Sequence, residues 1–236
     1  MWPVKVAVPA MSKVLMGLMV PEGRHTGGGS TRYQLTWDGA AKGTGQFVHE
    51  GVKKPAAIFH LETVNGGMHE LGAAFAQGPT DGGVAEVGGQ ARRLMALAFD
   101  SASPSVSLTR STAVSSGPVA NPIFPAPGML TLTKPSAVLA ILTVDSAYAV
   151  GNGSLGDVTL TVGTNQASML VQSQNGSLSQ AATLVWVGHL QAGTYPVSAT
   201  VAAHMPGMFD VTIGPTPTTP PMPAGITSLH VLALAP

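Results

Sequence analysis

Residues 129–144 read MLTLTKPSAVLAILTV, and this stretch decides the fold class. Residues 129–133 alternate between apolar and hydroxyl side chains, a pattern typical of a strand with one buried face. Residues 137–144 form a continuous apolar run, which is typical of a strand buried on both faces. The stretch therefore predicts β structure for the C-terminal part of the chain.

Similar runs follow as far as the C-terminus, at intervals of about 8–12 residues. They alternate in polarity or are rich in β-branched residues, and glycine-containing turns separate them at 151–153, 175–176 and 191–193. The predicted strands are 129–133, 137–144, 158–162, 168–171, 183–187, 195–201, 209–213 and 229–234. Strands of this number and spacing predict an antiparallel jelly roll or β-sandwich over residues 128–236.

The N-terminal region, residues 1–100, is predicted to be mixed and mostly β. Residues 33–37 and 57–61 have the composition of strands. Residues 14–20, VLMGLMV, form an apolar run that is too short to cross a bilayer, so we expect a buried strand or helix segment.

One helix is predicted in this N-terminal region, over residues 85–99. In this helix Arg92 and Arg93 would be exposed, and the apolar side chains would face inward. Those inward side chains are Leu94, Leu97 and Ala98.

Charged residues are scarce and unevenly distributed. They make up 9% of the chain, against about 25% in an average soluble protein. All 11 Lys and Arg residues lie at or before Lys134, together with 8 of the 11 Asp and Glu residues. The remaining acidic residues are Asp145, Asp157 and Asp210. The part up to Lys134 is therefore net positive and the rest net negative, and this shift predicts two domains.

Residues 101–127 lie where the charge changes and are rich in Ser, Pro and Ala. Their prolines disfavour helix and central-strand hydrogen bonding, so we expect an extended connector. The predicted organisation is an N-terminal attachment region at 1–100, the connector at 101–127 and a C-terminal β domain at 128–236.

Composition and motifs argue against several classes of function. A net charge of zero argues against a general nucleic-acid binder. The absence of cysteine excludes disulfides and thiolate metal sites. There is no GxSxG motif, and the glycine-rich residues 81–89 match neither GxGxxG nor GxxxxGK[ST]. We therefore predict that the protein is not an enzyme and has no cofactor.

Two histidines and two glutamates lie near one another in sequence, at His60, Glu62, His69 and Glu70. They lack the HExxH or HxH spacing of a metal site, and a site with two histidines and one carboxylate needs ligands that converge from rigid elements. We predict surface or loop residues here and no bound metal.

The missing charge predicts self-association. A soluble monomer normally carries a charged surface, whereas a surface of Ser, Thr, Asn, Gln, Gly and Ala can be buried without the several kcal/mol that each buried charge costs. We therefore expect a symmetric homo-oligomer as the preferred interpretation. The alternative is a secreted domain with a neutral, hydroxyl-rich surface.

Two segments carry a resemblance to a known family. Residues 190–201, LQAGTYPVSATV, resemble a strand of the trimeric jelly-roll domains of the tumour-necrosis-factor-like kind. Residues 227–234, TSLHVLAL, resemble the closing strand of those domains. Similar domains end many bacteriophage head-fibre, decoration and tail proteins. Pro196 departs from the pattern because it lacks a ladder donor, which favours an edge or bulge position.

The resemblance implies a bacteriophage virion structural protein, a capsid decoration or head-fibre protein located in the virion. Its partners would be its own copies, as a homotrimer, and capsid or tail proteins, with neither nucleic acid nor membrane. The expected oligomer-interface residues are Tyr195, Val197, Leu229, Val231 and Leu232. The expected attachment residues are Arg24, Arg32, Lys53 and Lys54.

Three alternatives remain open. The protein could be a minor tail or receptor-binding component, or an enzyme with a site assembled between subunits, although nothing in the sequence demands an enzyme. It could also be a secreted carbohydrate-binding β-sandwich, which would need aromatic side chains clustered on one surface. Trp37 precedes the turn residues Asp38 and Gly39 and could be exposed, whereas Trp186 and Tyr195 are expected in the core.

Overall fold

The structure is a computed structural model of the 236-residue chain. It describes residues 3–25, 30–48, 54–77, 85–87, 92–149, 155–172, 180–205, 211–214 and 226–234. These residues form 19 strands and no helix, which confirms the predicted mainly β fold. Within them, no helix is long and apolar enough to cross a membrane.

The strands are β1 (Val4–Val8), β2 (Ser12–His25), β3 (Ser30–Trp37), β4 (Ala40–Val48), β5 (Lys54–Val64), β6 (Gly67–Gln77), β7 (Ala85–Val87), β8 (Arg93–Asp100), β9 (Ser105–Arg110), β10 (Val114–Ser115), β11 (Asn121–Pro122), β12 (Gly128–Leu132), β13 (Ser136–Ala149), β14 (Leu155–Val162), β15 (Asn165–Gln172), β16 (Gln180–Leu190), β17 (Gly193–Ala203), β18 (Val211–Ile213) and β19 (Thr227–Leu234).

The strands form three antiparallel sheets. The long sheet runs β1-β6-β3-β4-β16-β13-β18-β10, with β19 also paired to β13 and β9 paired to β19. The outer sheet runs β11-β17-β14-β15, with β12 also paired to β17. The central sheet runs β5-β2-β7, with β8 also paired to β2.

Two long strands change partner at a bulge. Along one edge β13 pairs with β19 over residues 137–143 and then with β18 over 147–149, and its ladder with β16 is interrupted between Val144 and Ala147. Along one edge β2 pairs with β8 and then with β7, and its ladder with β5 is interrupted between Val20 and Gly23. Because a bulge bends and twists a strand, each end of the strand can meet a different neighbour.

The C-terminal core is a sandwich between the outer sheet and strands β13, β16, β18 and β19 of the long sheet. Alternate residues of β14 point into it, among them Val158, Leu160 and Val162. Val197 and Val201 of β17 do the same. The predicted sandwich is therefore confirmed, and the alternation in the sequence marks its inward face.

A second core lies between the central sheet and the N-terminal strands of the long sheet. Val14, Met16 and Leu18 of β2 pack there with Leu35 of β3 and Leu71 of β6. These five side chains are at most 1% exposed. The N-terminal strands therefore have a core of their own.

A third cluster joins the two halves of the chain. Leu15, Phe59 and Leu61 on the opposite face of the central sheet pack against Ile141 of β13 and Leu232 of β19. Both β2 and β13 are thus covered on both faces, and this is the physical reason for the unbroken apolar runs at 14–20 and 137–144. The prediction of a doubly buried strand at 137–144 is confirmed.

The predicted helix over 85–99 is wrong. The described part of this segment forms β7 and β8, and residues 93–100 of β8 pair with residues 12–19 of β2. Leu97 is 46% exposed and not turned inward as predicted. Pairing with a buried neighbour overrides a weak local helix preference, which glycines already lower.

Residues 105–122 supply edge strands. β9 pairs with β19, β10 with β18 and β11 with β17. The division of the chain at 1–100, 101–127 and 128–236 stays a prediction, but these short strands tie the proline-rich segment to both sheets of the C-terminal sandwich.

Candidate functional site

Most of the expected oligomer-interface residues lie inside the protomer. Val197, Leu229 and Val231 are fully buried in the C-terminal core, and Leu232 is buried in the cluster between the halves. Tyr195 is half-buried, and its hydroxyl donates to the carbonyl of Gln191 at 3.0 Å. The four buried side chains are covered by the same protomer, and a role of Tyr195 in an interface between copies stays a prediction. A strand pattern indicates that a face is buried, but not whether the same chain or a partner covers it.

The expected attachment residues lie on three strands. Arg24 is in β2 and Lys54 in β5, and the backbone register pairs Gly23 with Lys54, so these two positions are neighbours. Arg32 is in β3 of the long sheet, and Lys53 lies outside the described residues. Their role in attachment stays a prediction.

One side of the C-terminal sandwich has two strand edges with few or no partners among the described strands. β15 is the last strand of the outer sheet and pairs only with β14 among the described strands. β16 pairs with β13 along one edge, whereas on the other edge its described ladder with β4 is limited to Gln180. Residues 165–172 and 181–190 are here called the open side.

The open side carries neither Lys, Arg, Asp nor Glu. It exposes large apolar side chains from both sheets: Leu170 of β15 is 52% exposed, and Val185 and Val187 of β16 are 49% and 63% exposed. Single exposed apolar residues are ordinary. Leu170 lies on the outward face of the outer sheet, whereas Val185 and Val187 lie on the face of the long sheet that also carries Ile141, so the three side chains do not form one patch.

Several other edge strands of the molecule carry charge or proline. β1 carries Lys5, β8 carries Arg93 and β9 carries Arg110, while β5 begins with Lys54 and Pro55. Charge and proline are the devices with which proteins prevent strand addition at an edge. The two strands of the open side lack both devices, although β15 has 8 residues and β16 has 11.

An apolar groove of about 440 Å³ adjoins the open side, where β15 and β16 approach β2 and β5. Met19 and Pro55 line it from the central sheet, and Met169 and Ala182 line it from the sandwich. Thr183 is the polar side chain among its lining residues, and its hydroxyl donates to the carbonyl of Ala57 at 2.7 Å. The described lining of the groove is therefore mostly apolar contact area.

The outward face of the outer sheet is poor in charge and rich in hydroxyls. Cross-strand hydrogen bonds join Thr131 to Thr194 at 3.2 Å and Thr159 to Ser168 at 2.9 Å. Asp157 carries an exposed carboxylate on this face, and its Oδ2 lies 2.9 Å from Nδ1 of His204. This face can be covered with little desolvation of charge.

Two histidines lie between the central sheet and β19. The rings of His60 and His230 meet edge to face, with centroids 5.6 Å apart. Nδ1 of His230 lies 3.1 Å from the Ser107 hydroxyl, and its Nε2 has no hydrogen-bond partner among the described residues. A small cavity of about 60 Å³ adjoins His60.

Burial favours the neutral form of both rings. Burial, together with the smaller effect of the nearby His60, lowers the pKa of His230 to about 3. Burial also lowers the pKa of His60, against the opposing effect of Glu62, whose carboxylate lies 3.3 Å from His60 Nε2 and 2.6 Å from Lys42 Nζ. His230, which is buried, and His60, which is half-buried, are therefore polar residues within the apolar contact between the two halves of the chain.

Asp38 and His69 form a surface link at the β3–β4 turn. Asp38 has a φ of 49° and Gly39 a φ of 78°, as a tight two-residue hairpin requires. Asp38 accepts a hydrogen bond from the Glu70 amide and lies 2.8 Å from Nδ1 of His69, whose Nε2 lies 3.0 Å from the Asn65 carbonyl. With an acceptor at each ring nitrogen, the imidazolium is favoured, and the pKa of His69 is raised, chiefly by Asp38.

His60 and His69 are not brought together. His60 lies on β5 of the central sheet and His69 on β6 of the long sheet. No group of three or more metal-ligating side chains occurs within the described parts of the chain.

The described tryptophans do not form an exposed aromatic platform. Trp37 is 4% exposed and stacks on His69 with centroids 4.9 Å apart, so the expectation of an exposed Trp37 is wrong. Trp186 packs against the C-terminal core, as predicted.

No protein-family model and no curated protein matches the chain. Among solved structures, one of infectious bursal disease virus, Gt strain, is similar over 97% of this chain and 63% of its own, with 10% identity and a TM-score of 0.27. The VP2 subviral particle of that virus gives 12% identity and a TM-score of 0.18, over 97% of this chain and 67% of its own.

A two-domain structure of Extended-Synaptotagmin 2 gives 10% identity and a TM-score of 0.19, over 88% of this chain and 93% of that one. This chain spans less than two thirds of the length of the Gt-strain protein. All these TM-scores are far below 0.5, so the similarities carry no argument about fold or function.

Proposed function

We propose that the protein is a virion structural protein, a capsid decoration or head-fibre component. Its C-terminal sandwich associates with other copies of the chain, and its N-terminal region attaches it to the particle. The resemblance of residues 190–201 and 227–234 to trimeric jelly-roll domains favours this class of protein. The homotrimer that the resemblance implies is part of the proposal.

The observation that carries the proposal is the scarcity of charged side chains on the surface of the C-terminal sandwich. No Lys or Arg follows Lys134, Asp145 is buried, and Asp157 contacts His204. Such a surface lacks the repulsion that keeps soluble monomers apart, and it can be buried with little desolvation cost. A role in an assembly explains both properties.

The attachment half of the proposal rests on charge distribution. All positive side chains lie in the part up to Lys134, and Arg24 and Lys54 occupy neighbouring positions on paired strands. Positive residues favour contact with a negatively charged patch on a capsid or tail protein. Arg24, Arg32, Lys53 and Lys54 are the residues proposed to make this contact.

Mass spectrometry of purified particles from the source of the gene tests the proposal. We expect the chain at many copies per particle, and reduced incorporation when Arg24, Arg32, Lys53 and Lys54 are all replaced by Ala. Replacing Lys5, Lys13, Lys42 and Arg110 instead is the matched control for loss of charge. Particles that lack the chain, while it accumulates outside them, would refute a virion role.

Purified particles also allow the position of the protein within the particle to be determined. Labelling with an antibody to the C-terminal region is expected to decorate the capsid. Labelling confined to the tail would instead support the minor tail or receptor-binding alternative.

A further inference from the structure

We propose that the small cavity between the two halves of the chain is a binding site for water, and that the Thr143 hydroxyl holds the bound molecule. The cavity has a volume of about 60 Å³, and residues of β4 and β5 line it together with residues of β9, β13 and β19. This inference goes beyond the proposed virion role and does not depend on it.

The first step concerns the side chain of Thr143. This residue lines the cavity and is 1% exposed, and its Oγ1 has no hydrogen-bond partner among the described residues. Burying a hydroxyl without a hydrogen bond is costly. Ordered water commonly supplies the bond where a polar cavity has room for it. The Thr143 hydroxyl therefore points to a hydrogen-bonding ligand in this cavity.

The second step concerns the neighbours of Thr143 in the long sheet. Thr143 lies opposite Ser228, and Ser228 lies opposite Thr109. Directly opposite residues of paired strands point to the same face, so three hydroxyls follow one another across β13, β19 and β9, and all three line the cavity. Thr109 is exposed, whereas Ser228 is 6% exposed. The row therefore offers water a polar path from the surface to Thr143.

The third step concerns the size and chemistry of the ligand. A buried water needs a cavity of about 10–15 Å³ and about two to four polar partners. The cavity of about 60 Å³ exceeds this volume, and the three hydroxyls of the row supply partners. Each hydroxyl can both donate and accept a hydrogen bond, as a water molecule does. The site therefore fits water in both volume and hydrogen bonding.

The fourth step concerns charge, which distinguishes water from a bound anion. Lys42 lines the cavity, but its Nζ lies 2.6 Å from the Glu62 carboxylate, which balances the positive charge. His60 also lines the cavity, and burial lowers its pKa and favours the neutral ring. An anion in the cavity would lack a free positive partner among these lining residues, and an unpaired buried charge is costly. A neutral ligand is therefore favoured.

A crystal structure of the full wild-type chain tests the inference directly. We expect electron density for a water about 2.7–3.0 Å from Oγ1 of Thr143. We expect this density to be lost in Thr143→Val, which removes the hydroxyl at nearly constant volume. A dry cavity in the wild-type crystal would overturn the inference. An anomalous peak in the cavity after a bromide soak would also overturn it, because the site would then bind an anion.

Urea denaturation gives a second readout, in which the sign of the effect decides. If Thr143 holds water, Thr143→Val loses a hydrogen bond, and the unfolding equilibrium constant is expected to rise about fivefold. If the hydroxyl were buried without a ligand, the valine would remove an unsatisfied polar group, and the same constant would fall. An unfolding constant for Thr143→Val below that of the wild type would therefore contradict the inference.

Thr183→Val is the matched control for the denaturation experiment. Thr183 lies opposite Thr143 on β16, and its hydroxyl donates to the carbonyl of Ala57 at 2.7 Å. Because this hydroxyl has a protein partner, its removal should raise the unfolding constant whether or not the cavity holds water. Circular dichroism verifies the fold of both variants. The wild-type crystal structure decides the question even if Thr143→Val fails to fold.

Discussion

At the scale of single residues, the histidines show how environment decides protonation. His230 lies in the contact between the halves, where the residue is 2% exposed and one ring nitrogen lacks a partner among the described residues. His69 lies at a turn with an acceptor at each nitrogen. Burial lowers the pKa of the first, and a carboxylate raises the pKa of the second. No sequence motif distinguishes the two, because both environments are built by residues distant in sequence.

Acid is expected to destabilise the protein through His230. In the unfolded chain the ring gains a proton near its ordinary pKa of 6.5, whereas in the folded chain it stays neutral down to about 3. The unfolded state therefore binds more protons in this window, and stability falls as the pH falls. Between pH 6.5 and 4.5 the loss due to His230 is about 2 kcal/mol.

Chemical denaturation of wild type and His230→Phe at these two pH values measures this loss. The variant is expected to lose about 2 kcal/mol less than the wild type on acidification. Ser107→Ala serves as the control: it removes the hydroxyl beside Nδ1 and keeps the ring, so it should retain the wild-type pH dependence. Equal pH dependence in wild type and His230→Phe would show that the buried ring takes up its proton without unfolding.

At the scale of elements, the sequence predicted which strands are buried on one face and which are buried on both. The alternation in residues 158–162 and the unbroken run in 137–144 correspond to β14 and β13. The segment at 85–99 was misread because its pairing with β2 is long-range and leaves no local mark. The turn at 191–193 was also predicted from sequence, but it joins strands of two different sheets. The sheet to which each strand belongs depends on the packing of the core, which the turn residues do not determine.

Tight packing of the central sheet makes a prediction at Gly17 in β2. A Cβ atom there would lie 2.9 Å from Cγ of Met95 and 2.9 Å from Cε1 of Phe59. Gly17→Val is therefore expected to lower the free energy of unfolding by about 1–3 kcal/mol, because added volume in a packed layer forces neighbours to move.

Urea denaturation measures the effect. Ala98→Val, at an exposed position on the adjacent β8, is the matched control and should change stability by less than about 0.5 kcal/mol. If Gly17→Val were as stable as the wild type, the contact between β2 and its neighbours would be looser than described.

At the scale of the whole molecule, the two halves depend on each other. Ile141 and Leu232 of the C-terminal half are covered by Leu15, Phe59 and Leu61 of the N-terminal half. The charge shift along the sequence marks a change in composition between the two parts of the chain. It did not reveal this shared layer, because composition does not report which apolar faces meet.

The isolated fragment 128–236 is therefore expected not to fold cooperatively. It lacks β9, β10 and β11, which pair with strands of the sandwich, and it uncovers the face that carries Ile141 and Leu232. Thermal unfolding followed by circular dichroism should show no sharp transition for this fragment and a single transition for the full chain. A sharp, reversible transition of the fragment would show that the sandwich is independent of the N-terminal half.

The central claim, that a sandwich surface poor in charge drives self-association, is tested most directly by sedimentation velocity of the full wild-type chain over a wide dilution range. We predict a species heavier than the 23.9 kDa monomer that dissociates on dilution and persists in 1 M salt, about the concentration at which exposed charge pairs are fully screened. A single 23.9 kDa species at every concentration, or an assembly that salt dissolves, would contradict the claim.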